Sequence, residues 1–280
     1  MNLFAFGLGY CAARVIARGR LGAAGGTARA SETVAAWRAR GVDAYPFDAE
    51  LAGALRGVAL VSIPPDALGD PTLRVHAAAL REAGLQRVVY LSTVGVYGDT
   101  GGEWVDETSP LLATTARARL RVAAEAAWEE FGREAGVAVD ILRLGGIYGP
   151  GRGVFDRLRE GKARRVVKPG QVFNRVHVDD IASAVETLVA AARPGAIYNV
   201  VDGSPSPPED VIAHAAGLLD LPPPPAEPFA TAGLTDMARS FYEENRRVRN
   251  DKLRTRGWAP LYPTYREGLE AILAEEGSAH

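Results

Sequence analysis

The chain has 280 residues, a net charge of −2, 47% hydrophobic residues and a single cysteine. A chain of this length buries roughly three quarters of the surface its unfolded form exposes, so one large domain with or without a smaller lobe is expected. The near balance of charge argues against a nucleic-acid partner, lone Cys11 excludes an intrachain disulfide, and every apolar run stops short of the ~20 residues of a membrane helix.

Leu3-Phe4-Ala5-Phe6 predicts a buried strand, followed by Gly7-Leu8-Gly9-Tyr10-Cys11-Ala12 and a helix from Cys11 to Arg18. A strand, a glycine turn and a helix start in that order read as a dinucleotide address. Gly7 permits the tight turn, Gly9 lets backbone approach a pyrophosphate, and Ala12 is small enough for close packing of helix on sheet. The amides at the helix start then attract the phosphates. Met1-Asn2-Leu3 runs directly into this turn, so no signal peptide is expected and the expected location is the cytoplasm.

Gly25-Gly26-Thr27-Ala28 reads as a weak second strand ending at Arg29, about twenty residues past the first glycines, where a guanidinium can pair with a 2′-phosphate. Asp or Glu there would favour the free hydroxyl of NAD, so NADP is the preferred cofactor and NAD the alternative. Arg29 read without a ligand simply opens a solvent-facing helix turn. Tyr45-Pro46-Phe47 forms the next strand, closed by Asp48, either an acceptor for the adenine amino group or a plain turn aspartate.

Further strands are predicted at Ala59–Ile63, Val88–Leu91, Val139–Arg143 and Ile197–Val200, and helices at Pro71–Ala83, Thr115–Glu134 and Ile181–Ala192. This alternation gives an α/β fold with a Rossmann-type doubly wound parallel sheet. The rhythm fails in 151–171 and from 202 to about Trp258. Residues 1–150, continued by 172–201, are therefore expected to form the dinucleotide-binding domain, and 151–171 with 202–280 a small C-terminal substrate lobe. Both irregular pieces are rich in arginine, which suits an anionic ligand or an ordinary solvated surface. Pro222 to Pro225 is a stiff spacer.

The segments Leu91-Ser92-Thr93-Val94-Gly95-Val96-Tyr97-Gly98, Leu142-Arg143-Leu144-Gly145-Gly146-Ile147-Tyr148-Gly149-Pro150, Val176-His177-Val178-Asp179-Asp180 and Tyr198-Asn199-Val200 carry a more specific pattern. Together with the first glycine turn, they resemble the extended short-chain dehydrogenase/reductases, the NAD-dependent epimerase/dehydratase family. The resemblance implies a nicotinamide cofactor, a small-molecule substrate and often a homodimer built from two long helices of each subunit. It aligns Thr93 with a catalytic Ser/Thr and sets Leu144, Gly145 and Gly146 against the nicotinamide. Tyr10, Cys11, Ser62 and Ser92 are expected along the cofactor with Gly7 and Gly9.

One departure stands out. The family's Tyr and Lys, eight and four residues ahead of Glu125, are here Arg117 and Arg121. A guanidinium is locked in its charged form, so Arg117 can anchor an anion or stabilise negative charge but is a poor acid or base. Tyr97 and Tyr148 are the candidates to replace the missing proton donor. Two functions follow: an NADP(H)-dependent oxidoreductase or epimerase/dehydratase on a small anionic or sugar-nucleotide-like substrate, or a non-catalytic NADP-binding sensor. Asp179 and Asp180 are expected to cap a helix, and His177 to be bonded inside a strand. The histidines, at 76, 177, 214 and 280, have no paired spacing, so no metal is expected.

Overall fold

The computed structural model describes residues 2–190 and 192–278. Seven strands form the central sheet: β1 Leu3–Phe6, β2 Ala24–Ala28, β3 Asp43–Pro46, β4 Val58–Val61, β5 Arg87–Thr93, β6 Ala138–Leu144 and β7 Ile197–Val200. All pair in parallel, in the order β7-β6-β5-β4-β1-β2-β3. The order reverses between β1 and β4, and that is the point at which an open α/β sheet opens a crevice at its carboxyl edge.

Among the described residues, ten α-helices accompany the strands: α1 Tyr10–Ala17, α2 Ser31–Ala39, α3 Pro71–Glu82, α4 Ala116–Ala135, α5 Phe155–Arg159, α6 Val178–Ala190, α7 Pro208–Leu218, α8 Asp236–Ser240, α9 Asp251–Arg254 and α10 Tyr265–Ser278. Helices α1, α2 and α6 bury Cys11, Val15, Trp37 and Val185 against one face of the sheet. On the other face α3 and α4 bury Leu80, Trp128 and Phe131. Parallel strands covered on both faces must be apolar throughout, which is why β1 and β4 have no exposed residue.

The weak second strand has a steric reason. A Cβ on Gly26 would lie 2.5 Å from the Ala5 carbonyl oxygen, so β2 approaches β1 closely only because it has no side chain there. Helix α2 has little apolar periodicity, burying only Val34 and Trp37, and has no counterpart among the predicted elements. Asp70 starts α3 by accepting from the amides of Thr72 and Leu73 at 2.9 and 3.0 Å, with Pro71 in the first turn. Gly136, in the left-handed region, ends α4. Helix α6 begins at Val178, three residues ahead of the predicted start, and its predicted end runs over Ala191, outside the described residues.

A second core unites α5, α7 and α10 through Phe155, Leu158, Ala215, Tyr265, Leu269 and Ile272. The chain does not stay in this lobe after residue 202. Val248 pairs beside Val105, and Leu253 and Trp258 enter the main core next to the sheet. Trp128 is fully buried between Tyr90 and Phe131, with ring centroids at 5.9 and 5.5 Å. Trp128→Ala should therefore cost about 3–5 kcal/mol of unfolding free energy, measured from the shift in urea midpoint at unchanged slope.

Candidate active site

At the end of β1 the chain turns through Gly7 at φ +94°, and a Cβ there would lie 2.8 Å from the Ser62 hydroxyl oxygen and 2.9 Å from Ile63. Only glycine fits that turn. Gly9 then starts α1 with no side-chain cap, and a Cβ on it would meet nothing within 4 Å. The first turn of α1 therefore starts without a side-chain cap at the point where the sheet order reverses, an arrangement that can hold a diphosphate.

Several side chains expected along this groove are turned elsewhere. Ser62 donates to the carbonyls of Gly7 at 2.8 Å and Phe6 at 3.2 Å, so it braces the turn. Tyr10 donates to the Pro150 carbonyl at 3.0 Å, and burial pushes its phenol up to about 12. Cys11 is buried in the main core, with its thiol pushed up to about 11 by desolvation. Arg29 is exposed immediately after β2, with neither a hydrogen bond nor an ion pair among the described residues, and Asp48 is exposed two residues after β3.

Between the ends of β5 and β6 and the small lobe lies a cavity of about 590 Å³. Thr93, Leu144, Gly145, Gly146, Tyr148 and Arg117 all line it. The Thr93 hydroxyl oxygen accepts from the Gly95 amide at 3.1 Å, which fixes the side chain and leaves its hydrogen free to donate. A Cβ on Gly145 would lie 3.0 Å from the backbone of Asn174 and Arg175, so glycine lets the two segments meet in the cavity floor. Arg117, exposed on the first turn of α4, lies over the Phe241 ring with its guanidinium carbon 5.0 Å from the centroid. The opposite wall comes from Phe173, Arg175, Phe241 and Tyr242, which sit in stretches without periodicity or motif and were not singled out by sequence.

Beneath this cavity runs a buried polar chain. Arg143 on β6 grips Glu125 on α4 at 2.7 Å, both side chains being 3% exposed, and Ser92 donates to Glu125 at 2.5 Å. Arg143 also donates to the Tyr97 hydroxyl at 3.0 Å, and Tyr97 donates onward to Asn199 at 2.7 Å. The Ser92 hydroxyl hydrogen is held by Glu125, and Tyr97, expected as a proton donor, is fully buried and absent from the cavity lining. Arg121 is likewise committed, donating to the Tyr90 hydroxyl at 3.0 Å and the Leu91 carbonyl at 2.9 Å.

Tyr148 does reach the cavity, but its hydroxyl is buried against α10 with no hydrogen-bond partner among the described residues, and a Cβ on Gly268 would overlap it. Burial, with Asp202 and Asp180 nearby, raises its pKa far above the ordinary phenol range, so it holds its proton. Asp179 and Asp180 are not caps. They lie in the first turn of α6, where Asp179 takes a two-point bond from Arg14 at 2.5 and 2.8 Å and Asp180 accepts from the amides of Leu261 and Tyr262. His177 is buried as expected, accepting from the Asp179 amide at 3.2 Å, and desolvation pushes it down to about 4. Among the described residues no three potential ligands gather at a metal site, and His280 lies outside them.

The sequence profile of the NAD dependent epimerase/dehydratase family matches residues 71–201. A 3-diazoavenalumate denitrifying reductase from a Streptomyces species is 30% identical over 225 residues, covering 74% of this chain and 73% of the relative. The chain belongs to the NAD-dependent epimerase/dehydratase family. A functionally unknown conserved protein from Silicibacter pomeroyi has the same architecture at 46% identity, with a TM-score of 0.90 and 98% of each chain covered. The human epimerase family protein SDR39U1, solved with NADPH, shares the fold at 17% identity with a TM-score of 0.76, over 97% of this chain and 99% of its own. Within this family fold, no helix of the described residues is long and apolar enough to cross a membrane.

Two predictions follow from the buried charges. Glu125→Leu strands the Arg143 guanidinium in the interior and should cost about 3–5 kcal/mol in chemical denaturation. Burial raises Asp202 from 3.8 to about 7, so between those values the folded state binds more protons than the unfolded one and stability falls as pH rises. Asp202→Asn should accordingly gain stability relative to the parent across pH 4 to 7 and run parallel to it above pH 7. His177, which acts with the opposite sign, cancels in that difference.

Proposed function

We propose that the chain is an NADP(H)-dependent oxidoreductase, or an epimerase/dehydratase with bound cofactor, acting on a small anionic substrate. The observation that carries this is the uncapped Gly7–Gly9 turn at the sheet's switch point, combined with a cavity at the adjoining strand ends that contains Thr93. The family and its solved relatives, some holding NAD and some NADPH, support a nicotinamide nucleotide. Arg29 supports NADP, because an exposed, unpaired guanidinium follows β2 where a carboxylate would select the free ribose hydroxyl.

A bound nicotinamide supplies or withdraws hydride. Thr93 donates its free hydroxyl hydrogen to the reacting oxygen, and Arg117 stabilises the negative charge that develops there. Arg117 does not give up a proton. With Tyr97 committed to Asn199 and Tyr148 buried against α10, the proton comes from water entering the cavity. The anionic character of the substrate is supported by Arg117, Arg157 and Arg175, which line the cavity without ion-pair partners among the described residues, while its carboxylate, Glu244, is bound by Arg246 at 2.8 Å.

The withdrawal of both tyrosines favours one second reading, an NADP-binding sensor without turnover. Titration with NADPH and NADH, followed by NADPH fluorescence during addition of small carbonyl acids and sugar nucleotides, separates the two. Selective NADPH binding with loss of signal supports the enzyme, a stable signal across the panel supports the sensor, and no nucleotide binding overturns both. Arg29→Ala should weaken NADPH by about tenfold and leave NADH within about twofold. Thr93→Ala should lower kcat by about a hundredfold while NADPH binding stays unchanged, an outcome a sensor cannot give.

A further inference from the structure

A second cavity, of about 460 Å³, lies inside the small lobe and shares Tyr148, Arg157, Arg164, Arg175 and Ile212 with the first. Its remaining wall joins the apolar side chains of Val154, Val211, Tyr265 and Leu269 to the exposed Arg152 and Asp156. The two cavities therefore meet at a neck framed by one isoleucine, one tyrosine and three arginines. Arg164 is already engaged, by Glu227 and by the Gly233 carbonyl. Asp156, the one carboxylate of the second cavity's wall, lies 3.5 Å from Arg159.

Arg175 and Arg157 are different. Arg175 is partly buried on the strand before α6, and its guanidinium spends one terminal nitrogen on the carbonyls of Phe173 and Ser206, both at 3.1 Å. No carboxylate pairs with it among the described residues, and its other terminal nitrogen and its Nε have no protein acceptor. Burial lowers its pKa, and the nearby Asp202 carboxylate, with which it forms no ion pair, offsets that only in part. Arg157 is exposed at the same neck, with no side-chain hydrogen bond or ion pair among the described residues. Two unpaired guanidiniums facing one opening form a two-sided cradle for a planar anion.

We propose that the two cavities form one cleft for a small organic carboxylate, with its carboxylate held between Arg175 and Arg157 at the neck and its apolar body filling the lobe cavity. The chemistry of the lobe cavity selects this class. A ligand with a large hydrogen-bonding surface, such as a nucleotide, would lose its hydration against Val154, Val211 and Leu269 without regaining partners. An aromatic or branched aliphatic body loses nothing there and gains by removing apolar area from water. The proposal rests on the reading of the first cavity as the substrate site, and it assigns the lobe the task of choosing the substrate by its apolar half.

Calorimetric titration of the full chain tests it, with and without saturating NADPH. The probes are a carboxylate series running from acetate through butyrate to 3-phenylpropionate, the amide of 3-phenylpropionate, and UDP. Affinity should rise with apolar length, the amide should bind at least tenfold more weakly than its acid, and UDP should not compete. Arg175→Gln and Arg157→Gln should each weaken 3-phenylpropionate by about tenfold or more. Ile212→Trp, which narrows the lobe cavity, should remove the dependence on length. An unchanged melting temperature in each variant shows that the fold survives, and Arg157→Gln, at an exposed position, serves if Arg175→Gln fails to fold. Equal binding of acid and amide, tight binding of UDP alone, or no binding by any carboxylate would overturn the proposal. Carboxylate binding without NADPH binding would instead sink the cofactor reading and leave the cleft assignment standing.

Discussion

The ion pair between Arg143 and Glu125 sets the geometry on which the candidate active site depends. It is sealed between the sheet and α4, and isolated charges there would be prohibitively costly, so the pair survives only because each member is fully engaged. Ser92 supplies one further donor to the carboxylate, and Tyr97 accepts from the guanidinium. The chain of bonds continues through Asn199 to the Glu107 carboxylate and to the Arg249 carbonyl, and so joins β5, β6, β7 and α4 to the returning segment after residue 248.

The position of the cleft follows from that tie. Thr93 is the residue after Ser92, and Leu144 the residue after Arg143, so fixing the two buried side chains fixes the two strand ends that line the cavity. Glu125 fixes α4 in the same way. Arg117 lies eight residues earlier on that helix, about 12 Å along its axis, which brings it to the cavity mouth. The same constraint holds the Tyr97 hydroxyl inside the buried network, away from the cavity lining.

The charge distribution divides by environment in the same manner. Acidic partners are spent where elements must be joined, as in Arg14 with Asp179 between α1 and α6 and Arg87 with Asp140 between β5 and β6. Around the two cavities the pattern changes, and Arg117, Arg157 and Arg175 form no salt bridge among the described residues. Unpaired cations gathered at a concave surface are an electrostatic preference for anions, which a near-neutral total charge conceals.

Much of the fold was legible in the sequence because its parallel strands are buried on both faces and read as short apolar runs, while the glycine at 7 is demanded by backbone geometry alone. Helix α2 was not legible, since it buries only two side chains, and β2 was faint because Gly25 and Gly26 replace the β-branched residues that usually mark a strand. The motifs placed Thr93, Arg117 and Tyr148 together, and the cavity contains all three. The sequence by itself therefore determined the order of the elements and the glycine turn, both properties of local spacing. Only the tertiary structure decided that Ser62, Ser92 and Tyr97 brace the scaffold and that Arg157 and Arg175 share one neck. The direction a polar side chain takes depends on partners distant in the chain, and no local pattern records them.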